Sequence, residues 1–518
     1  MNNNTLARVP GRFVASRPND PAIRYEGATY DFAWLETRSN RIANALIAAG
    51  VMPGDRVALL DKSAPSFFAV LFGALKARAA LVPLNYRLAP PELAWIVADA
   101  GARVVFAARE FQDGVAPLLA GLAAPPITVG LDGDSADWPD LGRWSAPHAD
   151  RDPDLEISDG DAVLQMYTSG TTGRPKGVIV SQSGWTAFSR VMNQAPWARH
   201  EPDDLRLSCM PLYHVAGAYP ALVSLQEGGQ IVLTREVNPP ELVALLRDAG
   251  ITKTLMAPVV IQFLLQVPGV DAAPYPKLRN MTYGASPISE AVLTRAMAVF
   301  GCDFVQVYGL TENMGGGTVL DAPDHDPALG RLRSCGKPYA GGEARVVDAA
   351  GRTLPPGEVG EIQFRAPWNM TGYWGRPEET SAALEGGWLH TGDAGYFDED
   401  GYLFIHDRIK DMIVTGGENV YPAEVENALF AHPAVADAAV IGVPDERWGE
   451  AVKAVVVLKP DATATEAELV AHARNLIAGY KVPRSVTFAD VLPRNASGKI
   501  LKHELRAPYW ADTDRGVG

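Results

Sequence analysis

Apolar residues recur at helical spacing at Trp34, Leu35, Ile42, Leu46 and Ile47, and Gly50 closes that run. Val57-Ala58-Leu59-Leu60 follows as a short, continuously apolar stretch, the pattern of a buried strand. The unit then repeats. A helix is expected from Pro65 to Lys76, then a strand at Ala80-Leu81-Val82-Pro83-Leu84. Another helix is expected from Pro90 to Ala100, then a strand at Val104-Val105-Phe106. Later, Ile231-Val232-Leu233, a helix from Pro239 to Asp248 and Thr254-Leu255-Met256 continue the alternation. Strands separated by helices and short connections predict parallel sheets covered by helices.

From about Gly341 the pattern changes to short alternating strands with turn residues. Glu361-Ile362-Gln363-Phe364 is one of them. Tyr396-Phe397 and Tyr402-Leu403-Phe404-Ile405 flank the turn Asp398-Glu399-Asp400-Gly401, which reads as a hairpin. This part, about 341–408, is expected to be a small antiparallel barrel or sheet. Beyond Asp407-Arg408-Ile409-Lys410 mixed patterning returns. A helix is expected near Pro422-Ala423-Glu424, strands at Ala438 to Val443 and Ala451 to Leu458, and a helix near Glu466 to Ile477. The expected fold is therefore α/β: a large N-terminal domain, 1–408, of helix-covered sheets plus the small β-barrel, then a small α+β C-terminal domain, 409–518.

Composition narrows the function. The chain has 518 residues, enough for several structural units. Lys and Arg number 46 against 61 Asp and Glu, a formal charge of −15, which supplies no overall basic footprint for nucleic acid. Three widely separated cysteines, Cys209, Cys302 and Cys335, make neither a disulfide scaffold nor a thiolate zinc cluster and suit a reducing cytoplasm. Met1 to Pro10 lacks the apolar core of a signal peptide, and the C-terminal residues form no peroxisomal or prenylation address. The most apolar run, Phe67 to Leu75, is less than half of the roughly 20 residues a membrane span needs and reads as one buried helix. A cytoplasmic protein is expected.

Five segments carry candidate chemistry. Tyr167-Thr168-Ser169-Gly170-Thr171-Thr172-Gly173-Arg174-Pro175-Lys176-Gly177 follows the apolar strand Ala162-Val163-Leu164. Its hydroxyls, glycine backbone and Lys176 charge suit a polyphosphate, although a Gly/Ser/Thr run is also an ordinary surface loop. It is not a Walker loop, because neither Gly-Lys pair of the chain has the required upstream glycine. Val305-Gln306-Val307-Tyr308-Gly309-Leu310-Thr311-Glu312 reads as a strand ending in a turn. Tyr308 could stack on a base and Glu312 could hold Mg²⁺ against phosphate oxygens; an aromatic beside glycine is also common packing. In His390-Thr391-Gly392-Asp393, the carboxylate could accept ribose hydroxyls or simply serve a turn. The last two are Asp407 to Lys410 with Gly416-Gly417-Glu418-Asn419-Val420-Tyr421-Pro422, and Pro493-Arg494-Asn495-Ala496-Ser497-Gly498-Lys499.

In this order and at these separations, the segments resemble the adenylate-forming superfamily of acyl-CoA synthetases, adenylation domains and beetle luciferases, over roughly Val14 to Arg506. The resemblance implies an ATP-dependent acid–thiol ligase with Mg²⁺ as cofactor and CoA as co-substrate. It places Thr168, Ser169, Gly170, Thr171, Thr172 and Lys176 around the β- and γ-phosphates. Tyr308 would stack on adenine, with Gln306 and the Gly284-Ala285-Ser286 backbone at its edge. Thr311 would contact phosphate, Glu312 hold Mg²⁺, Asp393 bind the ribose and Arg408 assist. Lys499 would contact the acid's carboxylate and the α-phosphate oxygens. Lys410 matches the hinge about which a mobile C-terminal domain turns, bringing Gly416 and Gly417 to a pantetheine arm. His214, in Pro211-Leu212-Tyr213-His214, matches a gate between the acyl tunnel and the thiol channel; it also reads as a buried core histidine.

By the same resemblance Val215, Ala216, Gly217, Gly309, Met314, Gly315, Gly316 and Gly317 line the acyl pocket. They are small or apolar, and no Lys or Arg lies among them to pair a second carboxylate. A hydrophobic acid is expected, with medium- or long-chain fatty acids favoured over aryl or cinnamoyl acids. Only about twenty residues follow Lys499, with no appended carrier domain, so free CoA is the expected acceptor, a carrier-protein thiol the alternative. A homodimer and a lysine acetyltransferase acting on Lys499 complete the expected partners. A membrane-spanning segment and nucleic acid are not expected.

Overall fold

A computed structural model describes residues 5–135, 137–168, 174–286, 288–408, 411–415, 418–445, 447–494 and 500–510. Two helix-covered sheets build the larger part. The nine-stranded sheet runs Lys337–Pro338, Thr318–Leu320, Asp303–Tyr308, Asn280–Gly284, Lys253–Met256, Leu205–Ser208, Gln230–Leu233, Pro21–Tyr25, Ala28–Asp31. Its central pairs are parallel, as the helical spacers require. The seven-stranded sheet centres on Ala80–Pro83, Arg56–Leu60 and Ala102–Ala107, also parallel, and continues on one side through Ala162–Thr168 to the antiparallel strands Lys176–Ser181 and, at the edge, Gly372–Tyr373.

Local chemistry explains several boundaries. The Phe32–Ala48 helix starts where the Asp31 carboxylate accepts from the Trp34 amide at 2.7 Å, and the Gln182–Gln194 helix is capped in the same way by Ser181. The Pro65–Lys76 helix opens on a proline, whose fixed φ suits the first turn. That helix is buried along nearly its whole length, including Lys76, which is only 1 % exposed. The ammonium is retained because Glu36 and Asn40 each accept from it at 2.6 Å. Burial lowers the Lys76 pKa and Glu36 draws it back up. Among the described residues, no helix is long and apolar enough to cross a membrane.

The stretch expected as a small barrel folds as four antiparallel strands, Glu343–Val347, Gly360–Arg365, Leu389–Phe397 and Leu403–Arg408. The predicted turn at 398–401 joins the last two. The C-terminal strands Ile413–Thr415, Glu418–Val420, Val435–Asp445, Gly449–Leu458 and Ser485–Phe488 form a separate sheet. Its side chains pack with helices Pro422–Phe430 and Glu466–Arg474 into their own apolar core. The latter helix stops three residues earlier than its sequence pattern suggests, at an Asn475 cap. Cys209, Cys302 and Cys335 are free thiols, and burial pushes all three up to about 12, which leaves them unreactive near neutral pH.

Candidate functional site

Tyr308 is the last residue of the Asp303–Tyr308 strand, and Asp393 lies in the Leu389–Phe397 strand of the four-stranded sheet. The Tyr308 hydroxyl donates to Asp393 Oδ2 at 2.6 Å. Burial, reinforced by the Asp393 charge, pushes the phenol well above its usual range, so it remains a donor. Asp393 is 6 % exposed, and Thr391 steadies it: the Asp393 amide donates to Thr391 Oγ1 at 3.0 Å, and that hydroxyl donates to the Ile362 carbonyl at 2.6 Å. Arg408 stands opposite Asp393 in strand register. Two segments far apart in sequence thus meet through a charge-assisted bond.

Glu312 lies one turn beyond Tyr308, in the short helix Thr311–Asn313. Its carboxylate accepts from the Tyr373 hydroxyl at 2.9 Å, and its carbonyl accepts from the Met370 amide at 2.6 Å. The turn is tight. A side chain at Gly309 would meet the Gly315 backbone at 2.4 Å, so only glycine fits there. Met314 has φ +56° and Ala285 φ +70°, a costly region for residues with a Cβ. Both flank the Tyr308 strand end, and such strain concentrates where a fold is shaped for a ligand.

Lys176 pairs with Thr168 in the antiparallel register of the strands Ala162–Thr168 and Lys176–Ser181. Its ammonium lies 2.5 Å from Glu379 Oε2 and 5.1 Å from the centre of the Tyr373 ring. Lys176, Tyr373 and Glu312 therefore form one array. Ser169, Gly170, Thr171, Thr172, Lys410, Gly416, Gly417 and Lys499 lie outside the described residues. Gln306, on the same strand face as Tyr308, accepts from the Tyr283 hydroxyl at 3.3 Å, and its amide nitrogen lies 3.5 Å from Cys335 Sγ. That chain continues from Tyr283 to His325, inside the core.

Sequence reasoning missed Tyr373, Glu379 and the residues that hold the stem of the hairpin. The Tyr167 hydroxyl donates to Asp99 at 2.7 Å, and the Trp374 indole donates to the Asp99 carbonyl at 3.0 Å. Arg56 stacks 3.3 Å from the Trp374 ring centre and donates to Gln165 at 2.9 Å. The Gly372-Tyr373-Trp374-Gly375 run was the available signal: two aromatics between glycines, ahead of a proline-led helix. Tyr167→Phe is expected to raise the KM for ATP about 3- to 10-fold with kcat held within about twofold, the worth of one partly buried hydrogen bond. Steady-state kinetics with ATP varied will check this.

His214 precedes the Val215–Gln226 helix, and its carbonyl accepts from the Gly217 and Ala218 amides, each at 3.0 Å. Gly217 is obligatory, since a Cβ there would meet the Pro211 carbonyl oxygen at 2.2 Å. The imidazole lies 4.5 Å from the Tyr213 ring, and its buried Nε2 has no hydrogen-bond partner among the described residues. Burial, with the Arg87 charge adding, lowers the His214 pKa from 6.5 to about 4. Between those values the unfolded chain binds the proton and the folded chain does not, so stability rises with pH through that window. Asp61, raised to about 6 chiefly by burial, slopes the other way, losing stability as pH rises. His214→Phe is expected to flatten the limb between about pH 4 and 6.5 in denaturant unfolding. An unchanged limb would show that His214 titrates alike in both states.

The geometry so assembled, a buried Tyr–Asp pair, an acidic turn and a lysine beside a glycine-rich hairpin, suits a nucleotide phosphoester. Comparison with known proteins agrees. Residues 11–374 match the AMP-binding enzyme family and residues 424–499 match the AMP-binding enzyme C-terminal domain. The chain is 42% identical to the fatty acid–[acyl-carrier-protein] ligase ScoC of Streptomyces coeruleorubidus, covering 99% of this chain and 98% of that one. It is 40% identical to a feruloyl-CoA synthase of an Amycolatopsis species, covering 98% and 100%. The structure of ATP-bound MatB from Rhodopseudomonas palustris superposes with a TM-score of 0.89 at 32% identity, covering 99% of each chain. The chain belongs to the AMP-binding enzyme family, within the adenylate-forming superfamily. It is an acid–thiol ligase of the acyl-CoA synthetase kind, and it uses ATP.

Proposed function

We propose that the chain joins a hydrophobic carboxylic acid to a thiol in two half-reactions at one site. In the first, a carboxylate oxygen of the acid attacks the α-phosphorus of ATP, the bond to the bridging oxygen breaks, and pyrophosphate leaves. In the second, a thiolate attacks the acyl-adenylate carbonyl and AMP leaves with the bond electrons. The observation that carries the nucleotide reading is the convergence of Tyr308 on Asp393 at 2.6 Å, with Glu312 one turn away. Tyr308 offers a ring face to adenine, Asp393 accepts ribose hydroxyls, and Lys176 and the preceding loop meet the outer phosphates. A single carboxylate at Glu312 fits Mg²⁺, which takes one or two protein carboxylates and completes its shell with phosphate oxygens and water. When bound there, the ion neutralises phosphate charge and holds the chain of phosphates in line. Lys499 closes the charge balance during adenylation, and rotation about Lys410 then brings Gly416 and Gly417 to the thiol, past the His214 gate.

Free CoA is the proposed acceptor. A carrier-protein thiol is the second reading, favoured by the 42% identity to an enzyme named for that acceptor. Supplying each acceptor separately to enzyme, ATP and acid tests the choice. CoA-dependent AMP release at higher kcat/KM than with a phosphopantetheinylated carrier protein is expected; the reverse order assigns the carrier.

A further inference from the structure

The Lys176 ammonium lies 2.5 Å from Glu379 Oε2, and the lysine side chain is only 15 % exposed. Glu379 Oε2 is itself buried and accepts no hydrogen bond among the described residues. The pair is therefore held by charge, without a directed hydrogen bond. The ammonium also faces the Tyr373 ring, 5.1 Å from its centre. The hydroxyl of that ring is committed to Glu312 at 2.9 Å, and burial, with the Glu312 charge adding, keeps the phenol protonated. A carboxylate met outside hydrogen-bond geometry and an aromatic face both attract a cation without fixing where its three N–H groups point. A phosphate oxygen offers what both lack, a charged acceptor for a directed bond.

Glu379 would not be stranded if the lysine left it. Its other oxygen, Oε1, lies 3.6 Å from Arg376 Nη1, at the start of the Pro377–Ala383 helix. Arg376 in turn lies 3.5 Å from Asp99 Oδ1, and the Tyr167 hydroxyl donates to the other oxygen of Asp99 at 2.7 Å. Arg376 is thus anchored independently of Lys176 and stays beside Glu379 whichever partner the lysine takes. Breaking a shielded ion pair is costly chiefly when one charge is left bare, and here a second cation is already in place.

We infer that Glu379 is a positioning residue that holds Lys176 in reserve: the lysine exchanges this carboxylate for the outer phosphates when ATP binds, and returns to it as pyrophosphate leaves. The inference rests on Lys176 meeting those phosphates, as proposed above. Binding then carries the cost of one broken ion pair, and release recovers it. Glu379 thereby loosens the grip on ATP and on pyrophosphate alike. It does not act on AMP, which has no outer phosphates. Its effect on the reaction is to speed the departure of pyrophosphate ahead of the thiol step.

A double-mutant cycle tests this. Dissociation constants for MgATP and for AMP are measured by calorimetry, and pyrophosphate is titrated as an inhibitor of adenylation. Glu379→Gln should tighten MgATP about 2- to 5-fold, the worth of a partly exposed ion pair, and lower the inhibition constant of pyrophosphate by a similar factor. Affinity for AMP should not change, whereas a general disturbance of the site would move it too. Glu379→Asp, which keeps the charge and shortens its reach, should give part of the tightening. Lys176→Met should weaken MgATP and abolish the effect of Glu379→Gln. Unchanged or weaker MgATP binding in Glu379→Gln, with Lys176→Met still weakened, overturns the inference and leaves the lysine on the phosphates. Equal tightening in the Lys176→Met background overturns it as well, because plain repulsion by Glu379 would then suffice. Parent affinity for MgATP in Lys176→Met would remove the lysine from the phosphates, a distinguishable failure that ends both readings.

Discussion

Replacing Lys499 with alanine is expected to slow acyl-adenylate formation by about 10²–10³-fold, by analogy with losing one preorganised donor at a developing charge. The reason is electrostatic. The acid's carboxylate must approach a phosphate chain of like sign, and a cation between them removes that repulsion. Phosphoryl-type transfers ask the protein for positioning and charge neutralisation more than for covalent help. The C-terminal family match ends on this residue. The second half-reaction has no such need, because the adenylate has already lost pyrophosphate. Single-turnover rates with acid and ATP, set beside thioester formation from a supplied acyl-adenylate, separate the steps. A large loss confined to the first is expected, and an equal loss in both would remove Lys499 from its assigned place.

Glu312→Gln should have a comparable effect, about 10²–10³-fold on adenylation, with a raised Mg²⁺ requirement. The substitution keeps the shape of the side chain and removes the charge that a hard cation seeks. The Tyr373 hydroxyl, 2.9 Å from that carboxylate, orients it, so Tyr373→Phe should cost about tenfold in apparent Mg²⁺ affinity, as partners of metal ligands commonly do. Initial rates at stepped Mg²⁺ concentrations, with ATP binding measured by calorimetry alongside, resolve both effects. A Glu312→Gln enzyme with the parent's Mg²⁺ dependence would mean that the carboxylate does not meet the metal.

The helices were the most legible part of the fold. Pro65–Lys76, Pro90–Ala100 and Pro239–Asp248 begin and end where their prolines and apolar spacing predict. The hairpin Pro21–Tyr25 and Ala28–Asp31 escaped notice. It joins the edge of the nine-stranded sheet beside Gln230–Leu233, a pairing between residues about two hundred apart that no local pattern encodes. The site divides in the same way. Tyr308, Glu312 and Asp393 were visible because each sits in a short run of unusual residues. Tyr373 and Asp99 were not, because each draws its meaning from a neighbour on another element.

The central claim is acid activation through an adenylate followed by capture on a thiol. The most direct measurement is pyrophosphate and AMP release with ATP and Mg²⁺, across fatty, aryl and hydroxylated acids, each with and without CoA, with the products identified by mass. The account predicts acid-dependent pyrophosphate release and, on adding CoA, matching AMP and acyl-CoA for one class of hydrophobic acid. Pyrophosphate release independent of every acid, or AMP formed with neither CoA nor a carrier-protein thioester as product, would contradict it.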